Sequence, residues 1–232
     1  NEWTQLGSDI LGTDVGDLFG QIVSLSKDGN TLVSAGSNNS QLIVRVFSYV
    51  NGTWVQKGNS IRTDNEYYSP YVVISGDGLN IAFAASNRVA VYKYSNSDWV
   101  QKGSDISDSG STISKNLDLS NDGSTIAIGS PYYNLTDNND AAGRGRVFQF
   151  SNSTWAQLGN DIVGEVGREY AGIDVSLSDD GLTYAITSAD GNSRVRVYSF
   201  SNNQWRIKEE FPEVVTEHCS ERSKHVPNVS NR

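Results

Sequence analysis

Two histidines, one cysteine, four prolines and no methionine are found in 232 residues, and each scarcity excludes something. Both histidines, His218 and His225, lie near the C-terminus. The rest of the chain therefore has no imidazole for a Ser-His pair, a proton shuttle or a typical zinc site. His218, Cys219 and His225 are close in sequence, but their irregular spacing reads as a tail rather than a metal site. A single cysteine forms no internal disulfide, so Cys219 is either a free thiol or half of a bridge to another chain or a missing segment. No apolar run approaches the roughly 20 residues of a membrane-spanning helix, and no signal peptide is visible. Without methionine the sequence is expected to begin at a processed or truncated end. There is also no run of Lys or Arg, and the net charge is -9. Nucleic acid and anionic membrane surfaces are poor partners for such a chain.

What is abundant is repetition. Trp3, Trp54, Trp99 and Trp155 each begin a near-copy of W-x-Q-x-G-x-(D)-I, and Trp205 begins the diverged W-R-I-K-E. Spacings of 51, 45, 56 and 50 residues between these tryptophans mark a repeat architecture. They divide residues 1–205 into modules 3–53, 54–98, 99–154 and 155–204. Residues 206–232 lack glycine and the repeat pattern, and read as a cap or a linker. Arg206, Lys208, Arg222, Lys224 and Arg232 balance five glutamates there, so the repeat body carries the acidic excess. Hydrophobic residues at 37% with charged residues at 19% describe a folded chain.

Each module repeats one internal plan. An alternating run ends in Asp-Gly, at Asp28-Gly29, Asp77-Gly78, Asp122-Gly123 and Asp180-Gly181, which predicts a hairpin turn with glycine at positive φ. A returning strand follows, then a third that reads V-R-V-F-S-Y at 44–49, V-A-V-Y-K-Y at 89–94, G-R-V-F-Q-F at 145–150 and V-R-V-Y-S-F at 195–200. Valines share one face and aromatics the other, the period-2 signature of a sheet in contact on both sides. An Asn/Ser turn then leads to the tryptophan strand. Four short strands in about 50 residues, with no helical period, predict an all-β propeller of four four-stranded blades, with tryptophans in the wedges between blades.

The run V-S-L-S-x-D-G-x-T-L followed by V-R-V-(F/Y) resembles the first three strands of WD40-type blades. Gly16–Gly20 (G-D-L-F-G) and Ile128–Pro131 (I-G-S-P) resemble the FG-GAP blades of integrin-α-like propellers. The chain departs from both: it has no Gly-His or Trp-Asp dipeptide, a single FG pair and no full D-x-D-x-D-G loop. The resemblance implies a propeller that binds or scaffolds, and carries over no named binding residue.

The strand count does not balance. Four modules supply four sets of inner strands, yet tryptophan segments occur five times. A four-bladed ring with one frayed end strand, an excised half of a longer propeller, or a subunit that donates its extra strand to the next copy would each account for the surplus.

Candidate functional residues are few. Sequons at Asn38, Asn51, Asn134, Asn152 and Asn228 are glycan acceptors if the protein is secreted. Asp28, Asp77, Asp122 and Asp180 read as turn residues, and Asp9, Asp105 and Asp161 as residues that bond loop amides. Thr136–Gly145 is an insertion whose Asp137, Asn139 and Asp140 offer oxygen ligands for calcium but lack the terminal bidentate acid, so an exposed turn is the simpler expectation. No cofactor is expected otherwise. The expected function is a non-enzymatic, secreted glycoprotein acting as scaffold or interaction module, with a filament subunit as a variant. The alternative is a lectin-like or carbohydrate-active propeller, with Tyr67, Tyr68 and Tyr170 for stacking and Asp17, Glu66 and Glu169 as acids.

Overall fold

The computed structural model describes residues 2–13, 16–38, 41–64, 71–85, 87–107, 116–135, 141–189 and 193–210. Every regular element in them is a β-strand. The first sheet holds β1 (Ile22–Leu25), β2 (Thr31–Asn38), β3 (Gln41–Val50), β4 (Thr53–Gln56) and β5 (Ile61–Asp64). The second holds β6 (Tyr71–Ile74), β7 (Asn80–Ala85), β8 (Arg88–Ser95), β9 (Asp98–Gln101) and β10 (Ile106–Ser107). The third holds β11 (Asn116–Leu119), β12 (Thr125–Ser130), β13 (Arg144–Ser151), β14 (Thr154–Gln157) and β15 (Ile162–Val163). The fourth holds β16 (Val175–Leu177), β17 (Thr183–Ser188), β18 (Arg194–Ser201) and β19 (Gln204–Glu210).

The turns follow from their residues. At each Asp-Gly a serine two residues before the aspartate completes a small network. Ser26 Oγ donates to Asp28 Oδ1 (2.6 Å), Asn30 N–H donates to the same oxygen (2.9 Å), and Thr31 N–H donates to Ser26 Oγ (2.9 Å). Ser75, Ser120 and Ser178 repeat it. The glycine takes φ of 60 to 72° in all four blades. The turn between third and fourth strands is a two-residue loop with both residues at positive φ, Asn51-Gly52, Asn96-Ser97, Asn152-Ser153 and Asn202-Asn203. Asparagine tolerates that region, which suits the right-handed twist of a hairpin.

Three sheets count five strands because their outer row is broken. β4 and β5 pair with opposite halves of β3, and β9 with β10, and β14 with β15, do the same on β8 and β13. The break lies in the repeated Q-x-G. Lys57, Lys102 and Leu158 still donate their N–H to the third strand, at Val46, Val91 and Val147. The next residue is Gly58, Gly103 or Gly159 at φ 74 to 76°, which turns the chain outward. In the fourth sheet Glu209 stands where the glycine would be, and β19 runs on with only a bulge at Val197/Tyr198.

Sheets stack face to face through three apolar clusters. Val33, Ala35, Val44 and Val46 of the first sheet meet Val72, Ile74, Ile81 and Phe83 of the second. Ala82, Ala84, Val89 and Val91 of the second meet Leu117, Leu119, Ile126 and Ile128 of the third. Ala127 and Val147 of the third meet Val175, Leu177, Tyr184 and Ile186 of the fourth. Each face thus presents small residues to the next blade and large ones to the previous blade. Burying a large aliphatic or aromatic side chain contributes about 1.5–3 kcal/mol, so these faces carry most of the stability. Between the outer blades, the exposed side chains of Lys27 and Asp179 form an ion pair.

Sheets and tryptophan-to-tryptophan modules are out of phase. Each tryptophan strand closes the blade whose inner strands precede it, so the first complete blade runs over residues 22–64. The Trp3 segment belongs to no sheet, and Trp3 is fully exposed.

Candidate functional site

The repeated residues form a latch between blades. Each of the four tryptophans after Trp3 stacks at a tilt on the aromatic directly opposite it on the third strand: Tyr49–Trp54, Tyr94–Trp99, Phe150–Trp155 and Phe200–Trp205, with centroids 5.1 to 5.3 Å apart. Its indole N–H donates to the carbonyl preceding the glycine of the segment before it. The bonds are Trp54 to Leu6 (2.9 Å), Trp99 to Lys57, Trp155 to Lys102 and Trp205 to Leu158 (2.7 Å each). Glycine is required because the ring covers it. A Cβ at Gly7, Gly58, Gly103 or Gly159 would fall 3.2, 2.8, 3.0 or 2.7 Å from the indole Cδ1. Where the residue before glycine is lysine, its ammonium reaches the turn of the next blade: Lys57 to Gly78 O (2.9 Å) and Lys102 to Gly123 O (2.7 Å). Burial holds both lysines below their ordinary pKa.

Asp9, Asp105 and Asp161 accept from the glutamine of the same repeat, Gln5, Gln101 and Gln157. Asp105 and Asp161 also pair with an arginine at the start of the third strand, Arg88 (2.6 Å) and Arg144 (3.0 Å). In the first blade Ser60 replaces the acid and Ile43 replaces the arginine. Comparison of modules could have disclosed this pair, since both partners vanish together. The serines of the turns and the lysine latch were not read from the sequence.

The acids assigned to a loop-face ligand are tied into the frame. Asp17 is buried, accepts the N–H groups of Thr13 (3.1 Å) and Phe19 (3.0 Å), and pairs with buried Arg45 (3.5 Å), whose guanidinium lies 3.7 Å above the Phe19 ring. Glu169 is buried against Arg196 and accepts the N–H of Glu165. Both carboxylates are thus buried and engaged by arginines instead of standing open to a ligand at the loop face. Tyr170 sits at φ 52° with its ring edge-on to exposed Tyr132, centroids 6.0 Å apart. Glu66, Tyr67 and Tyr68 lie outside the described residues, as do Asp137, Asn139, Asp140, Cys219 and Asn228. Among the described residues no group of three or more His, Cys, Asp or Glu is placed to hold a metal.

Three sequons have described side chains. Asn51 and Asn152 are exposed at the first position of their tight turns. Asn134 is half-buried and its amide oxygen accepts the Ala141 N–H (2.9 Å). Beside the Asn152 turn an open groove of about 350 Å³ runs between residues 104–107 of the second blade and Phe148, Thr154 and Trp155 of the third.

No protein-family model matches the chain, and no curated protein matches it in sequence. Solved structures do resemble it. A β-propeller domain of Swd1 from Myceliophteria thermophila aligns with TM-score 0.54 and 13% identity, over 84% of this chain and 59% of that one. The fold is a β-propeller. A complex of KlAtg21 with the coiled coil of AgAtg16 gives TM-score 0.58 and 18% identity, over 82% of the chain and 57% of that structure. A protein of unknown function from Desulfotomaculum acetoxidans gives 0.56 and 19%, over 82% and 55%. The four blades thus span a little over half the length of the propellers they resemble.

Proposed function

We propose that the chain is a secreted, N-glycosylated, non-catalytic propeller that acts as a scaffold for other protein chains, copies of itself among them, with a filament or larger assembly as its setting. The observation that carries this reading is the use of the repeated residues. Tryptophan, glutamine, glycine, lysine and the turn Ser-Asp pair all serve contacts within or between blades. What varies is the loops, as expected of a rigid frame that presents a binding surface. The similar KlAtg21 structure is a complex with a coiled coil, which supports an interaction role. Exposed turns at Asn51 and Asn152 favour glycan attachment.

Intact mass of the chain secreted from eukaryotic cells, before and after enzymatic deglycosylation, tests the secreted reading. A mass loss with Asn51 and Asn152 converted to aspartate is expected; an unmodified mass overturns it. Carbohydrate binding at the loop face is the second reading, favoured by the Tyr132–Tyr170 edge contact beside a loop. A glycan array bound by the native chain and lost on Tyr132→Ala would favour it over the scaffold.

A further inference from the structure

Two exposed sequons sit on the same turn in different surroundings. Asn51 and Asn152 each take the first place of a two-residue turn at φ 50°. In both, the sequon threonine donates its hydroxyl to the carbonyl at the start of the turn, Thr53 to Val50 O (3.1 Å) and Thr154 to Ser151 O (3.0 Å). A glycan on either asparagine therefore leaves from the same local frame. Beside Asn152, however, Thr154 also lines the groove of about 350 Å³ between the second and third blades. Phe148 and Trp155 stand with it on one wall, and Ser104, Asp105 and Ser107 stand on the other.

Both walls of that groove are fixed. Ile106 is buried and pairs with Val89, and Asp105 is held by Gln101 (2.7 Å) and Arg88 (2.6 Å). Across from them, Trp155 is stacked on Phe150 and bonded to Lys102 O. At Asn51 the facing residues are 8–11, which belong to no sheet, and Leu11 among them is 74% exposed. The lining beside Asn152 suits a sugar. A pyranose turns an apolar face of C–H bonds to an aromatic ring and offers hydroxyl and amide groups at its rim to serines and a carboxylate, the mixture found in ligand sites. The volume is at the lower end of the ~300–1,000 Å³ of such sites, so the first sugar enters and the branches stay outside.

We propose that the innermost N-acetylglucosamine of a glycan on Asn152 lies in this groove and ties the third blade to the second. This rests on the reading of the chain as secreted and N-glycosylated. Attachment makes the contact intramolecular, and a short flexible tether supplies an effective concentration of about a millimolar. A groove that holds free sugar only weakly is therefore filled once the sugar is attached to its rim. The filled groove joins Ser104 and Ser107 of one blade to Phe148 and Trp155 of the next through contacts that exist only in the folded protein. Such contacts stabilise the folded state as any ligand specific to it does. A glycan on Asn51 has no fixed facing wall and stays in solvent.

The test uses the full chain secreted from eukaryotic cells in a Ser40→Ala, Thr136→Ala and Ser230→Ala background, which removes the sequons of Asn38, Asn134 and Asn228. Adding Asn51→Gly or Asn152→Gly leaves one sequon in each chain, and glycine keeps the positive φ of the turn. Occupancy is read by glycopeptide mass. Each folded chain is treated with an endoglycosidase that leaves one N-acetylglucosamine, or with an amidase that leaves none. For the chain glycosylated on Asn152 the amidase should lower Tm by roughly 2–4 °C and the endoglycosidase by less than half as much. For the chain glycosylated on Asn51 neither should shift Tm by more than about 1 °C. Ser104→Trp, which fills the groove from an exposed position, should cancel the Asn152 effect while that site remains occupied. Equal amidase shifts in the two chains, no shift with Asn152 occupied, an endoglycosidase loss as large as the amidase loss, or a full shift in Ser104→Trp each overturns the groove and leaves glycosylation standing. Asn152 empty in a chain whose Asn51 is occupied does the same, and both sites empty sinks the glycosylated reading as well.

Discussion

Single residues show where repetition stops being uniform. Tyr184 is fully buried at a position held by Leu32, Ile81 and Ile126 in the other blades, and its hydroxyl has no hydrogen-bond partner among the described residues. It fits because the third blade has glycine opposite: a Cβ at Gly145 would fall 2.0 Å from the Tyr184 hydroxyl oxygen. Burial drives its pKa above the ordinary phenol range. An unpaired buried hydroxyl costs about 1–3 kcal/mol, so Tyr184→Phe should stabilise the fold by roughly 1 kcal/mol in urea unfolding. A loss of stability would mean that the hydroxyl is bonded after all. Two glycines separate backbone strain from crowding. Gly29 at φ 71° has open space around its Cβ position, whereas Gly159 at φ 74° lies under Trp205. Gly29→Ala should cost about 1–2 kcal/mol for the left-handed backbone alone. Gly159→Ala should cost roughly 1–3 kcal/mol more through crowding of the indole. Equal losses in the two variants would deny the latch its steric part.

At the level of elements, the outer strand acts through its carbonyl rather than its side chain. Leu6 and Leu158 hold the place of Lys57 and Lys102 and accept the same indole bond, so Lys102→Leu should change stability by less than about 1 kcal/mol. Trp155→Phe removes the bond to Lys102 O and leaves that carbonyl without its donor, and should cost roughly 2 kcal/mol or more. The reverse order of effects in thermal unfolding would shift the latch to the lysine. Strand packing also sets a pH response. Asp118 on β11 accepts the Leu177 N–H (2.7 Å) of β16, yet burial raises its pKa above the usual carboxylate value. Its folded pKa exceeds its unfolded one, so its contribution is complete below the unfolded value and is lost as pH rises through the folded one. Hydrogen bonds from Ser26 and Ser178 lower Asp28 and Asp180, whose contributions are present above the unfolded value and lost as pH falls through the folded one. Relative to the native chain, Asp118→Asn should therefore gain stability as pH rises from 3 to 7. A pH-independent difference in urea midpoint would contradict the burial. Strand periods, Asp-Gly turns and the tryptophan wedge were legible in sequence because they depend on local backbone rules and a period of two. The split outer row was not, since Q-x-G reads as a plain turn until the ring that covers it is in place. Asp17 and Glu169 looked like ligand acids because sequence does not show the arginines, 28 and 27 residues away, that hold them.

For the whole molecule, the question is whether four blades are a finished object. In a repeat array each unit is stabilised by its neighbours, so a unit with one open face opens at lower free energy than one covered on both sides. β7 and β12 lie in blades with neighbours on either side, and Ala82 and Ala127 within them are fully buried. β1 leaves Val23 and Leu25 open, and β18 leaves Val195 open. Native-state hydrogen exchange of the dilute chain should therefore find the slowest amides in β7 and β12, with those of β18 at least tenfold faster, a gap of about 1.4 kcal/mol. If copies of the chain pair through these open faces, raising the protein concentration should slow β18 and β1 while leaving β7 unchanged, because mass action stabilises only the faces that pairing covers. If β18 is as slow as β7 in the dilute chain, and stays so with concentration, the ring is closed within one chain.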